Sequence, residues 1–168
     1  IYVVVVPGNH DLELKDDYRN YEKIKSSYEN GEQDLLLNKD VQLLSNFYKF
    51  AEFNKCFTDD KIVSNVPVHL KEHGFLVSFT LINTAIFSLK GGSNIDMGIH
   101  YLSRDKLERI KPYCNANLSI IVMHHSLEWY INRVKEELKR IINNKYSIIL
   151  EGHEHDGFGE KRKSNDET

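Results

Sequence analysis

The chain has 168 residues, of which 40% are hydrophobic and 28% are charged, so it can form one domain with an ordinary core. Its formal net charge of −3 gives no electrostatic basis for general binding to nucleic acid or to a membrane surface. No apolar run approaches the ~20 residues of a membrane span, and no basic segment precedes the first apolar run. We therefore expect a cytoplasmic protein without a membrane partner.

Residues 1–6 are apolar and mostly β-branched, and this unbroken run predicts a strand buried on both faces, as in a parallel sheet covered by helices. The turn that follows, Pro-Gly-Asn-His-Asp at 7–11, ends in an amide, an imidazole and a carboxylate. In open α/β sheets, ligands bind beyond the carboxyl ends of the strands. Asn9, His10 and Asp11 are therefore candidate site residues, although Asn and Asp are also common in ordinary turns.

A helical insertion is predicted at about 14–60, between the first strand and the next. Apolar side chains recur at intervals of three and four over 16–29 and again over 34–53, which indicates two amphipathic helices. Two interpretations of this pair remain open. It packs over the edge of the sheet, or it caps a substrate pocket.

Shorter elements are predicted in the middle of the chain. A strand is expected within 61–68, ending near Pro67, and two strand-like segments are expected within 74–85. Ser103 has the position of a helix N-cap, and Pro112 closes the short helix that follows. This region therefore adds strands and one short helix to the predicted α/β fold.

The last predicted elements form a βαβ unit. Buried strands at 118–123 and 146–150 flank a helix with an apolar stripe over 131–142. The two strands should be parallel and their crossover right-handed. We expect one domain over 1–158 and a polar tail or linker over 159–168.

Both strands of this unit end in histidine-rich turns. His124 and His125 follow the first strand, and Gly-His-Glu-His follows the second at 152–155. In an extended segment, the two histidines at 152–155 point to the same side with Cα atoms roughly 6.5 Å apart, so they could bind one metal ion or two. His124 and His125 diverge at a strand end, so at most one of them should be a metal ligand.

The first turn offers complementary chemistry. The Asn9 amide oxygen suits a divalent ion that imidazoles and carboxylates already hold. His10 could act as a general acid or donate a hydrogen bond to a phosphate, and Asp11 could orient the His10 ring and raise its pKa. If the three predicted strands lie in one sheet, the three turns converge and these groups form a single site.

The turn at 7–11, the His124-His125 pair and the segment at 152–155 resemble the calcineurin-like metallophosphoesterases in order, spacing and strand context. The segment at 81–85 also resembles a strand of that family. The resemblance implies a four-layer α/β/β/α sandwich and a two-metal hydrolase of phosphate esters, with Mn, Fe or Zn as the ions. The aspartate that ends the first turn favours a phosphodiesterase or nuclease, with nucleic acid or a nucleotide among the substrates, over a protein phosphatase, which has glutamate there.

The resemblance also implies metal ligands by position in the chain. One ion would be bound by Asn9, His124 and His153, and the other by His155. His125 has no ligand counterpart in the family, so it would lie behind the ligands or face the substrate.

The implied catalytic residues are His10, which would protonate the leaving oxygen or hold the phosphoryl group, and Asp11 behind it. The family also has an Asp-x-His strand and a Gly-Asp strand, whose aspartate bridges the two ions, and neither is present in these 168 residues. We therefore expect the first strands of the fold to lie upstream, in a segment of the same protein that completes the site. By themselves, residues 1–168 should bind metal weakly and hydrolyse little.

Two other functions compete with hydrolysis. A family member that has lost catalysis would use its sheet face or aromatic helices to bind a partner. A single structural zinc ion, held by the histidines at 124, 153 and 155, is disfavoured because structural zinc sites usually include thiolates. Cys56 and Cys114 are far apart in the sequence and are expected to be reduced, buried or half-buried thiols.

Overall fold

The computed structural model describes most of the second half of the chain and shorter parts of the first half. The described residues are 3–8, 12–13, 42–43, 62–70, 74–85, 88 and 94–153, with the backbone alone at 12–13 and 42–43. Four predicted site residues lie outside this set: Asn9, His10, Asp11 and His155. Most of the predicted insertion and the predicted tail lie outside it as well.

A short ladder joins two segments of the first half of the chain. Strand β1, Leu12–Glu13, pairs antiparallel with strand β2, Gln42–Leu43. Because β2 lies inside the helix predicted over 34–53, that prediction is wrong at 42–43. Backbone pairing with a distant segment overrides the local periodicity that favoured a helix there.

The main sheet has four strands among the described residues, in the order β3, β4, β5, β6. Strand β3 is antiparallel to β4, whereas β4, β5 and β6 run parallel. The parallel strands therefore end at the same edge of the sheet, which is where α/β proteins bind ligands. The four strands are β3 at Val63–Leu70, β4 at Phe75–Ile82, β5 at Leu118–Met123 and β6 at Ile148–Glu151.

Helix α1, Arg104–Arg109, begins where the sequence predicts it. The Ser103 Oγ accepts a hydrogen bond from the backbone N–H of Lys106 at 3.4 Å, as an N-cap should. The helix ends before Pro112, and Ile110, its C-cap residue, is fully buried. The short helix is thus held by a local cap at one end and by core packing at the other.

Helix α2, Asn132–Lys145, is the crossover between β5 and β6 and confirms the predicted parallel βαβ unit. A turn of 3-10 helix at Leu127–Trp129 leads into it. The predicted apolar stripe on α2 is buried at Val134, Leu138, Ile141 and Ile142. Because these side chains recur at helical spacing, they present one continuous face to the sheet.

Apolar side chains pack on both faces of the sheet. On one face, the α2 stripe packs with Ile82, Ile121 and Met123. On the other face, the valines at 4–6 pack against Leu81. Neighbouring residues such as Leu81 and Ile82 serve opposite faces because side chains alternate along a strand.

The strand predicted for 1–6 is not observed over its described part. Residues 3–8 lie outside any helix or strand, Val3 is 42% exposed, and residues 4–6 are half-buried. The described part of the apolar run is partly buried by side-chain packing on the sheet instead of by strand pairing. An unbroken apolar run predicts burial more reliably than it predicts a hydrogen-bonding partner.

The strands also differ from prediction in extent and burial. β3 continues beyond Pro67, which pairs with Ser78, because β3 is the outer strand of the described sheet and proline is tolerated there. β4 is one continuous strand instead of two segments. β6 was expected to be buried, but Ile148 and Leu150 are 39% and 48% exposed at the other outer edge of the described sheet.

The fold is therefore of the predicted α/β class, with a mixed sheet and helix α2 packed on one face. Within the described stretches, no helix is long and apolar enough to cross a bilayer. Cys114 is a free thiol as predicted, but it is exposed where burial was expected.

Candidate metal centre

The turns after β5 and β6 begin side by side. The register pairs Met123 with Glu151, so His124 and Gly152 each follow directly from paired residues. The Gly152 backbone N–H donates a hydrogen bond to the His124 carbonyl oxygen at 3.1 Å. The predicted convergence of these two turns is therefore observed, and it arises from the parallel register of the strands.

The imidazole rings of His124 and His153 meet at this edge. His124 Nε2 lies 3.1 Å from His153 Nδ1, and both residues are half-buried. Two ring nitrogens that are each about 2.0–2.1 Å from one ion stand about 2.8–3.4 Å apart at ligand angles of about 90–109°. The observed separation therefore fits two ligands of one metal ion. Without an ion, the same contact is a hydrogen bond in which one ring donates and the other accepts.

Two glycines make room for the His124 ring. A Cβ added to Gly8 would lie 3.1 Å from His124 Cε1, 3.2 Å from Nε2 and 3.3 Å from Nδ1. A Cβ added to Gly152 would lie 3.1 Å from His124 Nδ1. Backbone from the first turn and from the third turn therefore abuts the same imidazole ring. Glycine suits both positions because any side chain there would crowd the ring.

His153 has a φ of 69°, in the left-handed region that residues other than glycine rarely adopt. Histidine is among the residues more often found there, yet the conformation still costs free energy and persists only when the surroundings enforce it. The backbone strain lies at the residue whose ring contacts His124. This placement is typical of a functional site.

Substitution of His153 tests this conformation. In the metal-free protein, His153→Gly is expected to be more stable than His153→Ala by about 1 kcal/mol, because glycine adopts a positive φ without steric cost. Both variants lack the imidazole, so the difference isolates the backbone. The free energies of unfolding are measured by urea denaturation. An alanine variant as stable as the glycine variant would contradict a left-handed backbone at this residue.

His125 is only 1% exposed. Its backbone N–H donates a hydrogen bond to Thr84 Oγ1 at 3.0 Å, and its ring Nδ1 lies 2.9 Å from the same oxygen. Thr84 is fully buried just beyond β4. The segment at 81–85, singled out by the family resemblance, thus orients a histidine of the site.

The His125 ring is kept neutral by its surroundings. Burial lowers its pKa, and repulsion from the imidazoles of His100, His124 and His153 lowers it further, to about 2. A neutral imidazole has one N–H and one lone pair. Because Nδ1 is engaged by Thr84, Nε2 is the atom left to bind another group.

A buried carboxylate and imidazole lie behind His125, and the sequence reasoning missed both. His100 Nε2 is 3.3 Å from Asp96 Oδ2, with the residues 0% and 6% exposed. A backbone bridge positions His100, because its N–H donates to the Trp129 carbonyl and its carbonyl accepts from Ile131 N–H. Only the Asp-x-x-x-His spacing at 96–100 could have suggested this pair, and that is a weak signal.

The Trp129 indole forms a wall of the site. Its ring lies 4.6 Å from the His153 ring, 4.8 Å from the His125 ring and 5.6 Å from the His100 ring, measured between centroids. The residue is 3% exposed. A large apolar ring at this position excludes water, so charges within the cluster interact more strongly than they would in solvent.

In the described part of the chain, two groups of side chains are placed to hold a metal ion. Within each group, one ligand atom per residue lies within 4.8 Å of the others. His125 belongs to both groups, and the prediction that it lies behind the ligands or faces the substrate stays a prediction. The groups are His124, His125 and His153, and Asp96, His100 and His125.

Comparisons with known proteins identify no family for this chain: no family model, no curated protein and no solved structure matches it.

Proposed function

We propose that this chain carries part of the active site of a metal-dependent phosphoesterase that cleaves phosphodiesters, with nucleic acids or nucleotides as the preferred substrates. The observation that carries the proposal is the meeting of three turns at one imidazole. Gly8 from the first turn and Gly152 and His153 from the third turn all lie against His124, which belongs to the second turn. The same three turns carry the resemblance to the calcineurin-like metallophosphoesterases.

The donor set suits a catalytic divalent ion. His124 and His153 would be two ligands, and the amide of Asn9, the residue after Gly8, would be a third. Both imidazoles are half-buried at the edge of the sheet, so a substrate can reach them. When bound, divalent ions lower the pKa of water and neutralise charge on a phosphate, which is the chemistry the reaction requires. Mn, Fe or Zn would serve.

The remaining roles follow from the same proposal. His10 would donate a proton to the leaving oxygen, and Asp11 would orient the His10 ring. His155 would bind a second ion together with carboxylates of an upstream segment. We also propose the finer fold, a four-layer α/β/β/α sandwich, because valines at 4–6 cover the face of the sheet opposite α2 and so begin a second covering layer.

Metal removal tests the proposal. The full-length protein, stripped with a chelator, is expected to lose at least about 100-fold in cleavage of bis(p-nitrophenyl) phosphate, because metal catalysis contributes several kcal/mol of transition-state stabilisation. Adding Mn²⁺, Fe²⁺ or Zn²⁺ should restore the rate. The matched phosphomonoester, p-nitrophenyl phosphate, should be the poorer substrate. A full-length protein with no metal-stimulated turnover of either ester would refute the proposal.

A second candidate is a partner-binding module on the same fold without catalysis. It is favoured by the outer strand β6, where Ile148 and Leu150 expose apolar side chains that would be covered in a complex. The metal content of the native full-length protein separates the two candidates. A phosphoesterase purifies with stoichiometric transition metal or is activated by it, whereas a binding module needs none.

A further inference from the structure

We propose that Asp96, His100 and His125 form a binding site for a divalent transition-metal ion, separate from the edge site at His124 and His153. The inference goes beyond the proposed hydrolysis and does not depend on it. None of the motifs in the sequence pointed to Asp96 or His100. The cluster exists because the 94–100 segment folds against the turn after β5.

The geometry is close to that of a bound ion. One ligand atom from each of the three residues lies within 4.8 Å of the other two. The 3.3 Å separation of Asp96 Oδ2 and His100 Nε2 is already that of two ligands of one ion, which stand about 2.8–3.4 Å apart at ligand angles of about 90–109°. A His125 ring nitrogen that lies within 4.8 Å of the other two ligand atoms would need to move by about 1–2 Å for all three to bind one ion.

The donor chemistry selects the class of ion. Two imidazoles and one carboxylate are ligands that Zn²⁺, Fe²⁺ and Mn²⁺ accept, whereas Ca²⁺ and Mg²⁺ prefer oxygen atoms. Asp96, His100 and His125 are 6%, 0% and 1% exposed, so the carboxylate is removed from water. A bound cation would add a favourable charge interaction with this buried carboxylate.

His125 can serve only one of the two sites. Its Nδ1 is engaged by Thr84, so one ring nitrogen remains to bind an ion. His125 shares its burial with Asp96 and His100, whereas His124 and His153 are half-buried. The carboxylate also makes the buried set the more attractive one for a cation. We therefore assign His125 to the buried site.

The ligands are held in place by the fold before any ion binds. His100 is fixed by two backbone hydrogen bonds to the 129–131 segment, and His125 is fixed through its backbone and its ring by Thr84. The rings of His100 and His125 meet edge to face with centroids 4.7 Å apart. Because these side chains are already ordered, metal binding costs little conformational entropy, and this favours a high affinity for the ion.

Metal counting tests the site. The full-length protein is stripped with a chelator and titrated with Co²⁺ or Zn²⁺, and bound metal is quantified by plasma mass spectrometry after gel filtration. Asp96→Asn and His100→Gln are each expected to bind one equivalent fewer than wild type. His124→Ala should retain that equivalent and lose the ion of the edge site. Asp105→Asn and His69→Gln, both at exposed positions, are matched controls that should bind as wild type.

The outcomes separate the two sites. If Asp96→Asn and His100→Gln bind as much metal as wild type, the buried site is refuted, whatever His124→Ala does. If His124→Ala alone binds as wild type, the edge site of the proposed function fails and the buried site stands. If every variant loses all metal, one shared site exists and the inference of a separate site is overturned.

If Asp96→Asn does not fold, a variant of the residue that orients His125 tests the buried site instead. Thr84→Val keeps all three ligands and removes the hydroxyl that orients His125. In a His124→Ala background, it should weaken the remaining equivalent about 10- to 100-fold, as loss of an outer partner of a metal-bound histidine does. An unchanged affinity in this background would refute the assignment of His125.

Discussion

His124→Ala in the full-length protein is expected to reduce kcat/KM for a chromogenic phosphodiester by more than about 100-fold, because removing even the outer partner of a metal ligand costs about 10- to 100-fold. The His124 ring lies against the backbone of two other turns, at Gly8 and at Gly152, and against the His153 imidazole. Under the proposed function, its loss removes one metal ligand and also the surface on which the remaining groups converge. Bound metal should fall by the one equivalent that the edge site holds.

The control for this variant is His69→Ala. His69 lies on β3 and is exposed, away from the histidine cluster, so its substitution should leave metal content and turnover unchanged. Far-ultraviolet circular dichroism and thermal unfolding of both variants separate a lost ligand from a lost fold. A His124→Ala protein that folds and keeps turnover within about threefold of wild type would exclude His124 from the catalytic metal site.

Gly8→Val should weaken metal binding by about 10- to 100-fold, the range seen when the surroundings of a ligand are disturbed. The first branching carbon would lie 3.1 Å from His124 Cε1, and the two methyl groups beyond it would force the ring out of position. Because the ring contacts His153, a displaced His124 also separates the two nitrogens now 3.1 Å apart. Isothermal titration with Zn²⁺ measures the change.

Gly74→Ala is the matched control for Gly8→Val. Gly74 has a φ of 60°, and apart from its chain neighbours no heavy atom of the described residues lies within 4 Å of an added Cβ, so alanine there introduces backbone strain without crowding a described side chain. It should destabilise the fold by about 1 kcal/mol and leave the metal affinity as it is. A Gly8→Val protein with the metal affinity of wild type would mean that the first turn does not meet His124.

Local patterns predicted the parts of this fold that local forces determine. The apolar stripe of α2, the Ser103 cap and the strand at 118–123 were all predicted from spacing or residue type, because helix faces, caps and buried strands depend on residues close in sequence. The two-residue strand at 42–43 was not predicted, since its partner is a distant segment at 12–13. The pairing of strands from distant segments cannot be read from the local spacing of apolar residues.

The candidate site also has features that the local sequence predicts and features that depend on contacts between distant segments. The sequence by itself determined that histidines follow β5 and β6, since an apolar run that ends in a polar turn is a local signal. Only the tertiary structure decided that the His124 and His153 rings meet, that two glycines lie against one of them, and that Asp96 and His100 lie behind His125. These contacts depend on the parallel register of two strands and on a backbone bridge between sequence-distant segments, and neither is encoded in the residues on either side of each histidine.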